Sequence, residues 1–300
     1  MFKSGFVSII GRPNVGKSTL LNRILGEKVS IVSDRPQTTR NQIRGVKHLP
    51  GAQIVFLDTP GVHPPRHPFT EQMVNAALDT LKEVDLILFT VEVPGPFGEG
   101  DLYTLEQIRK MRANKEESPV YLVINKIDRV PKPELLPVME EGNRLFPFEE
   151  IIPVSAATGE NIDLLVDQVV KVLPEGPAYF PEDLVTDQPL RFIAAERVRE
   201  KVFRWTYEEI PYSVGVGIEE FLEGEEGRGI VSIRAVIYVE KESQKGIVIG
   251  KGGSLLKKIG QETRKELEAI LGSKVFLHLW VKVKKDWRED KEALGTLGYS

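Results

Sequence analysis

The chain has 300 residues, of which 41% are hydrophobic and 28% are charged, the composition of a globular protein able to bury a sizeable core. A chain of this length favours two domains. The formal net charge of −4 excludes a protein that is basic throughout but leaves room for one basic face. The absence of cysteine excludes a disulfide framework and a thiolate zinc site, which is compatible with a reducing cytoplasm. No apolar run is long enough to span a membrane.

The first pattern with chemical meaning is GRPNVGKS at Gly11–Ser18, between a predicted strand and a predicted helix. This order is typical of a P-loop. Gly11 and Gly16 permit a turn whose N–H groups point at a phosphate chain, and the helix N-terminus adds its positive end. Lys17 would reach the β- and γ-phosphates, and the Ser18 hydroxyl would hold Mg²⁺. By itself the pattern suits ATP and GTP equally. The predicted phosphate cradle comprises Gly11, Arg12, Pro13, Asn14, Val15, Gly16, Lys17, Ser18 and Thr19.

The first half of the chain alternates short apolar runs with helix-like segments, which predicts an α/β domain with a mostly parallel sheet and helices on both faces. The runs predicted as parallel strands are 6–10, 54–57, 86–91, 120–124 and 151–154. Residues 30–40 indicate a polar loop, and a strand at 42–48 should turn through Pro50-Gly51 into the next strand as a hairpin. Ligands of such sheets bind beyond the carboxyl ends of the strands.

Two further motifs begin where predicted strands end. The sequence Asp58-Thr59-Pro60-Gly61 is a D-x-x-G, in which Asp58 could hold Mg²⁺ and the Gly61 N–H could reach the γ-phosphate. The sequence Asn125-Lys126-Ile127-Asp128 selects the base. The Asp128 carboxylate can accept hydrogen bonds from N1–H and the exocyclic amine of guanine, whereas adenine offers no matching donor pair. The sequence therefore predicts a guanine nucleotide, with the Lys126 stem along the base plane.

A fourth motif, Ser155-Ala156-Ala157, follows the strand at 151–154 and could bring a backbone N–H to the guanine oxygen. The four motifs in this order resemble the translation-factor class of small GTPases. That resemblance implies that Thr39, or alternatively Thr38, is the switch threonine that closes over Mg²⁺. The implied metal ligands are Ser18, Thr39 and Asp58, and the implied catalytic residues are Lys17, Thr39 and Gly61.

One departure from the Ras-like pattern bears on hydrolysis. Val62 stands directly after D-x-x-G, where Ras-like proteins have a glutamine that orients the attacking water. A hydrophobic residue there predicts slow intrinsic hydrolysis that a partner or ion accelerates. Asn14 is a candidate K⁺ ligand by resemblance to related families, and its alternative role is to shape the P-loop turn. The stretch Val62–Phe69 is a candidate mobile switch II, and its histidines, His63 and His67, lack a metal-ligand spacing.

The second half of the chain follows a proline-rich, acidic stretch, and the predicted order of its elements is α-β-β-α-α-β. We predict a GTPase domain over 1–175, a linker over 176–190 and a second domain over 191–300. Within the second domain, Gly250-Lys251-Gly252-Gly253 is a G-x-x-G between helical segments, a loop that lets a nucleic-acid backbone approach closely. Together with the α-β-β-α-α-β order, this loop resembles the type II KH domain, an α+β fold.

The charge of this region supports nucleic-acid binding. Between Lys245 and Arg288 there are eleven Lys or Arg residues against four Asp or Glu residues, in a chain that is acidic overall. The residues predicted to bind single-stranded RNA are Ile249, Gly250, Lys251, Gly252, Gly253, Lys257 and Lys258.

With a GTPase domain followed by a KH domain, the whole chain resembles the Era family of bacterial GTPases, of the TrmE-Era-EngA-YihA-Septin-like class. This resemblance implies a monomer with GTP or GDP and Mg²⁺ that binds the 3′ end of 16S rRNA and assists assembly of the 30S ribosomal subunit. It also implies a cytoplasmic location with peripheral association at the cytoplasmic face of the inner membrane. An alternative is a regulatory or membrane-associated GTPase whose C-terminal domain acts on a protein partner. GTP would order the loop around Thr39 and the segment after Gly61. We hypothesise that the linker transmits this change to the RNA-binding domain.

Overall fold

The computed structural model describes residues 1–65, 68–112, 118–223 and 229–299, and its contacts divide the chain into two units, 1–187 and 188–300. Arg66 and His67 of the predicted switch II lie outside the described residues, as does most of the charged turn at 223–229. Among the described residues, no helix combines the length and the apolar character needed to cross a membrane.

The first unit is built on a six-stranded sheet with the order β2-β3-β1-β4-β5-β6. Its strands are β1 (Lys3–Ile10), β2 (Ile43–Leu49), β3 (Ala52–Asp58), β4 (Leu86–Glu92), β5 (Val120–Asn125) and β6 (Glu150–Pro153). Strand β1 pairs in parallel with β3 and β4, and β5 and β6 continue the parallel pairing, whereas β2 is antiparallel to β3. The predicted hairpin at Pro50-Gly51 and the mostly parallel sheet are confirmed. The strands read as near-continuous apolar runs because both sheet faces are covered.

Helices flank this sheet, and every nucleotide motif lies at its carboxyl edge. They are α1 (Lys17–Leu25), α2 (Pro68–Asp79), α3 (Glu99–Arg112), α4 (Leu135–Leu145) and α5 (Ile162–Val172). Asp58 is the last residue of β3 and Asn125 is the last residue of β5, so both side chains emerge beside the P-loop that follows β1. Parallel pairing of β3, β1, β4 and β5 therefore assembles motifs that are far apart in sequence.

The segment predicted as a linker lies mostly in the first unit, whose boundary follows Asp187. We call residues 177–187 the strap, since they run over β2 and β3 without forming a helix or strand. Gln53, only 1% exposed, accepts hydrogen bonds from the N–H groups of Tyr179 and Phe180 at 2.7 and 3.1 Å and donates to the Phe180 carbonyl at 2.8 Å. These bonds satisfy backbone groups that a strand ladder would otherwise satisfy.

Further contacts fix the strap to β2, the strand that follows the polar loop at 30–40. The Val46 N–H donates to the Val185 carbonyl at 2.8 Å, and the Thr186 hydroxyl donates to the Arg44 carbonyl at 2.6 Å. Arg44 also forms an ion pair with Asp187. Because proline is compatible with an extended backbone that binds along a sheet edge, the proline-rich composition suits an ordered strap as well as a free linker.

The second unit has a three-stranded sheet, order β7-β8-β9, among the described residues. Its elements are α6 (Leu190–Trp205), α7 (Ile210–Ser213), β7 (Gly215–Leu222), β8 (Val231–Val239), α8 (Glu242–Ile249), α9 (Ser254–Leu271), β9 (Val275–Val283) and α10 (Lys291–Thr296). Strand β8 is antiparallel to β7 and parallel to β9. The predicted α-β-β-α-α-β order is confirmed, with the short α7 and α10 added.

A C-terminal tail, residues 284–299, covers part of this sheet. Trp287 is fully buried, donates its Nε1–H to the Ser213 carbonyl at 2.9 Å, and lies 5.9 Å from the Tyr299 ring, centroid to centroid. A Cβ added at Gly215 would lie 2.9 Å from Leu297 and 3.2 Å from Trp287, so the tail packs directly on β7. Trp287, Leu297 and Tyr299 of the tail are therefore part of the core of the second unit.

We expect Gln53→Leu to release the strap. The substitution leaves the Tyr179 and Phe180 N–H groups without their acceptor, at a cost of about 2 kcal/mol. Hydrogen–deuterium exchange of the full-length protein should show faster exchange at residues 177–187, while Gln72→Leu, at an exposed position on α2, should leave it unchanged. Unchanged exchange in Gln53→Leu would show that Gln53 does not hold the strap.

Candidate functional site

A cleft of about 520 Å³ opens at the carboxyl edge of the sheet in the first unit. All four predicted motifs contribute to its wall, through residues that include Lys17, Gly61, Asn125, Asp128 and Ala156. The loop at 30–40 forms one side. The cleft also includes residues that the sequence analysis did not select, namely Ile31, Val32, Ser33, Asp34, Gln37, Glu92 and Arg129. Other predicted residues lie behind this wall, namely Gly11, Arg12, Val15, Asp58, Thr59, Pro60, Val62, Ile127 and Ser155.

Asn125 joins three of the motifs. Its side-chain Nδ2 donates to the Val15 carbonyl at 2.8 Å, and its Oδ1 accepts from the Ala156 N–H at 3.0 Å. Gly16 has a φ of 96°, and a Cβ at this position would lie 2.4 Å from Asn125 Nδ2, so only glycine fits between the P-loop and this amide. Asn125 therefore acts as a buried connector between the phosphate cradle and the base-binding residues.

Lys17 folds back over the P-loop. Its Nζ donates to the carbonyl oxygens of Gly11 and Arg12 at 3.1 and 3.0 Å, and the residue is only 6% exposed. Burial lowers the pKa of Lys17 from 10.5 to about 8, and the nearby Arg12 adds to this effect while Asp58 opposes it. The ammonium group is thus held in a dry cradle where it gains most from a phosphate.

Two of the predicted metal ligands, Ser18 and Thr39, lie beside the carboxylate of the third, Asp58. Asp58 Oδ2 accepts from the Ser18 hydroxyl at 2.7 Å, and the Ser18 and Thr39 hydroxyl oxygens are 2.8 Å apart. Ser30, which the sequence analysis missed, also donates to Asp58 Oδ2 at 2.8 Å. The other oxygen, Oδ1, is buried without a hydrogen-bond partner. Desolvation raises the pKa of Asp58, and its hydroxyl partners oppose the shift.

These groups fit a hard divalent cation. Carboxylate and hydroxyl oxygens are the donors that Mg²⁺ prefers, and a buried carboxylate oxygen that lacks a partner would gain one in such a cation.

The two neighbouring threonines differ in the hydrogen-bond partner of their hydroxyl groups. The Thr39 hydroxyl lies 3.5 Å from Asp58 Oδ2, whereas the Thr38 hydroxyl donates to the Arg35 carbonyl at 2.6 Å. The geometry thus favours Thr39 over Thr38 as the residue beside the carboxylate.

An ion network supports the base-binding side of the cleft. Glu92 pairs with Arg12 at 2.7 Å and with Lys126, and Arg12 also pairs with the buried Asp101 at 3.0 Å. Lys126 Nζ donates to the Asn14 carbonyl at 2.7 Å, which places the Lys126 stem across the mouth of the P-loop. No sequence motif includes Glu92 or Asp101, because each belongs to a strand or helix outside the four motifs.

The remaining base-binding residues also have partners in the structure. The Ser155 hydroxyl donates to Asp128 Oδ1 at 2.5 Å and accepts from the Thr158 N–H at 3.1 Å. The hydrogen bond fixes the rotamer of Asp128, so its carboxylate is oriented before a base arrives.

Val62 is fully buried, and its N–H donates to the Gly11 carbonyl at 3.1 Å. Its side chain lies in the apolar core of the first unit. A Cβ at Gly61 would lie 2.7 Å from the backbone nitrogen of Pro13, so the D-x-x-G glycine permits this close approach of the two loops. Val62 thus offers no polar group to the cleft.

Asn14 connects the P-loop to the loop at 30–40. Its φ of 68° helps to shape the P-loop turn, and its Nδ2 donates to the Asp34 carbonyl at 2.9 Å. This contact places the Asn14 side chain at the cleft, so both of its predicted roles are compatible with the geometry.

The second unit contains a groove of about 470 Å³ between α9 and β9. Gly253 of the G-x-x-G loop, Lys257, Arg264 and Phe276 line it. Gly250, Gly252 and Gly253 all have positive φ, so the loop needs its glycines, while Ile249 ends α8 and Lys251 begins the turn into α9. Arg264 and Phe276 are groove residues that the sequence analysis missed, since neither lies in the motif.

Lys257 and Lys258 have different surroundings. Lys257 lines the groove, whereas Lys258 Nζ lies 3.2 Å from the ring centroid of Trp205, in a cation–π contact. Trp205 in turn donates its Nε1–H to Glu262 at 3.0 Å. Successive helix positions point about 100° apart, which explains why adjacent lysines separate.

Comparison with known proteins decides the family. Residues 6–126 match the model of the 50S ribosome-binding GTPase family, and residues 209–288 match the KH domain model. The chain is 54% identical to GTPase Era of Geobacter metallireducens over 299 residues, which cover 100% of this chain and 98% of that protein. It is also 54% identical to GTPase Era of Geotalea uraniireducens over 298 residues, 99% of this chain and 98% of the relative. The chain belongs to the Era family of GTPases.

Solved structures of Era proteins match the fold of the whole chain. An Era structure in complex with MgGDPNP and nucleotides 1506–1542 of 16S ribosomal RNA has a TM-score of 0.94 and 45% identity, covering 100% of both chains. A structure of an Aquifex aeolicus Era variant bound to GDP·AlF4⁻ has a TM-score of 0.93 and 45% identity, again with 100% of both chains covered. The predicted P-loop GTPase and KH folds are confirmed, and the protein is a GTPase.

The lowered pKa of Lys17 gives a prediction for nucleotide binding. Phosphate favours the protonated amine, so Lys17 should take up a proton when GDP binds above about pH 8, and the affinity of the protein for GDP should fall as the pH rises. We expect the Kd for GDP to increase about ten-fold from about pH 7.5 to about pH 9. Calorimetry in buffers of different ionisation enthalpy would measure both the Kd and the proton uptake.

Lys17→Arg provides the control, because a guanidinium stays charged throughout this range. Its Kd for GDP should show no comparable increase. A wild-type Kd that stays level to pH 9, with no proton uptake, would contradict a lowered pKa for Lys17.

Proposed function

We propose that this protein is a guanine-nucleotide switch that hydrolyses GTP slowly and binds single-stranded rRNA near the 3′ end of 16S rRNA, and so assists maturation of the 30S subunit. The observation that carries the proposal is the presence, in one chain, of a complete guanine-nucleotide cleft and a basic groove headed by a G-x-x-G loop. An Era protein 45% identical over its whole length forms a complex with MgGDPNP and a 16S rRNA fragment.

The nucleotide is held by groups that the fold orients in advance. P-loop N–H groups and Lys17 bind the phosphates, and Asp128, with its rotamer set by Ser155, accepts from guanine. Ser18, Thr39 and Asp58 would hold Mg²⁺, which neutralises phosphate charge when bound. Binding in this cleft excludes water from Lys17 and strengthens its attraction for the γ-phosphate.

Slow hydrolysis follows from the position of Val62. A buried valine side chain cannot orient an attacking water, so this chain supplies no counterpart of the Ras glutamine at that position. A cation near the phosphates would supply charge stabilisation instead, and we propose the amide oxygen of Asn14 as a K⁺ ligand. Its contact with the Asp34 carbonyl brings the loop at 30–40 to the same place.

The groove between α9 and β9 suits single-stranded RNA. The G-x-x-G loop would let the RNA backbone approach, Lys257 and Arg264 provide positive charge, and apolar residues of β9 line the groove in which bases would lie. The strap gives a physical route from nucleotide to RNA. The loop that bears Thr39 runs into β2, β2 binds the strap, and the strap leads into the second unit.

Monomeric state, cytoplasmic location and peripheral association with the inner membrane stay predictions that rest on resemblance to the family. Measurement of molar mass in solution and fractionation of cells would test them.

The K⁺ proposal is tested by GTP turnover in KCl and in NaCl at equal ionic strength. We expect K⁺ to raise the turnover number at least about ten-fold, because a positive charge at the phosphates stabilises the transition state. Asn14→Ala should remove most of that difference. Equal rates in the two salts would overturn the proposal.

RNA binding is tested with the pair Lys257 and Lys258. Lys257→Ala should weaken binding of RNA that comprises nucleotides 1506–1542 of 16S rRNA by about ten-fold and lower the slope of log Kd against log salt by about one, as expected for one lost phosphate contact. Lys258→Ala is the matched control, since its ammonium lies on Trp205, and should retain most of the affinity.

If the wild-type protein does not bind this RNA, or if neither substitution changes the affinity, the RNA-binding proposal fails. Capture of a protein partner in place of RNA would then favour the alternative function of the C-terminal domain.

A further inference from the structure

Strand β9 carries a row of exposed rings on the sheet face opposite the helices. We call Phe276, His278 and Trp280 the aromatic row. Phe276 is 61% exposed and Trp280 is 49% exposed, and His278 between them is also exposed. The ring centroids of Phe276 and His278 are 6.4 Å apart, and those of His278 and Trp280 are 5.0 Å apart. Large apolar side chains in an exposed, contiguous row indicate a binding surface.

The row begins at the groove already described. Phe276 lines the groove with Lys257 and Arg264, and it is also the first ring of the row. The alternate residues of β9, among them Leu277 and Leu279, pack inward against the helices. A ligand that leaves the groove past Phe276 therefore meets His278 and Trp280 next, at intervals of about 6.6 Å along the strand.

The surroundings of the row are nearly neutral. Arg234 of β8 lies opposite His278 in register and pairs with Glu220 at 3.3 Å, and Lys282 pairs with Glu219 at 2.5 Å. Carboxylates at these positions disfavour a surface for anionic lipid, and paired cations contribute little to phosphate binding. The main interaction that this surface offers a ligand is therefore stacking on the faces of its aromatic rings.

The tail does not cover the row. It packs over β7, where a Cβ at Gly217 would lie 3.3 Å from Leu297, and Val236, the register partner of Trp280, is fully buried. Trp280, which pairs with Val236 in register, remains half exposed. The sheet face is thus divided into a part closed by the tail and a part that bears the rings.

We propose that the aromatic row is a second RNA subsite, on which bases that leave the groove stack. The inference rests on the proposed RNA-binding function. A G-x-x-G loop clamps about four nucleotides, whereas the RNA in the related Era structure spans nucleotides 1506–1542. Exposed aromatic residues on sheet strands stack successive bases in other RNA-binding modules, with little preference for sequence.

The subsite predicts an effect that depends on RNA length. The long probe is RNA of nucleotides 1506–1542, and the short probe is whichever segment of about six nucleotides, tiled along it, binds most tightly. For full-length protein with a non-hydrolysable GTP analogue, Trp280→Ala should weaken binding of the long probe about ten-fold. The affinity for the short probe should change less than about two-fold. The slope of log Kd against log salt should stay constant, because no phosphate contact is lost.

Two further variants separate stacking from general damage. Trp280→Phe keeps a ring and should retain most of the affinity for the long probe. Tyr207→Ala removes an aromatic side chain, 68% exposed, that lies outside the row and should leave both probes unchanged. Quenching of tryptophan fluorescence by the long probe should be strong in the wild type and weaker in Trp280→Phe, since Trp287 is buried and the Trp205 ring is covered by Lys258.

Equal affinity of Trp280→Ala and wild type for the long probe would overturn the subsite, as would an equal loss for both probes. Unchanged RNA affinity with reduced binding to phosphatidylglycerol vesicles, or with altered self-association, would assign the row to a membrane or to a second copy and overturn the proposal. Failure of Lys257→Ala to weaken either probe would instead contradict the proposed RNA-binding function of the groove.

Discussion

The arrangement of the first unit depends on one buried carboxylate. Asp58 is fully buried, and its Oδ2 accepts from Ser18 of the P-loop and Ser30 at the start of the loop that bears Thr39. A charge in this position costs free energy unless hydrogen bonds or a cation compensate it. The hydroxyls compensate one oxygen, and Oδ1 stays without a partner. The conformation of the loop at 30–40 is therefore tied to whatever binds beside Asp58.

Further residues hold this arrangement. Asn22 of α1 accepts from the N–H groups of Val29 and Ser30, both at 2.9 Å, and donates to the Ser30 carbonyl at 2.8 Å. The backbone of Ser30 is thus fixed in the position from which its hydroxyl donates to Asp58. From Thr39 the chain passes directly into β2, whose backbone and Arg44 bind the strap. A change at the carboxylate can therefore reach the end of the first unit through a short series of contacts.

Much of the fold followed from the sequence because its signals are local. Strand-length apolar runs, the hairpin at Pro50-Gly51 and the G-x-x-G between two helices depend on residues close together in the chain. The strap could not be predicted, because proline-rich composition describes a free linker as well as an ordered segment. Its order depends on Gln53, which is more than a hundred residues away and looks like any polar residue in a strand.

The nucleotide site and the RNA groove likewise combine residues found by local sequence signals with residues that only the tertiary fold brings in. Motif spacing placed the motifs of Asp58, Asn125 and Asp128 after strands. The choice of Thr39 over Thr38 came from resemblance and not from spacing, since it depends on which hydroxyl faces Asp58. Nor could spacing separate Lys257 from Lys258, which the rotation of α9 and the position of Trp205 decide. Ser30, Glu92 and Phe276 belong to no motif, and they reach their sites only through the tertiary fold.

We propose that nucleotide state controls RNA binding through these contacts. The most direct measurement is the Kd for RNA of nucleotides 1506–1542 with the protein saturated by GDP and then by a non-hydrolysable GTP analogue. We predict that the two values differ by at least about five-fold, and that RNA changes the ratio of the two nucleotide affinities by the same factor, as linkage requires. Equal RNA affinities in the two states would contradict the coupling.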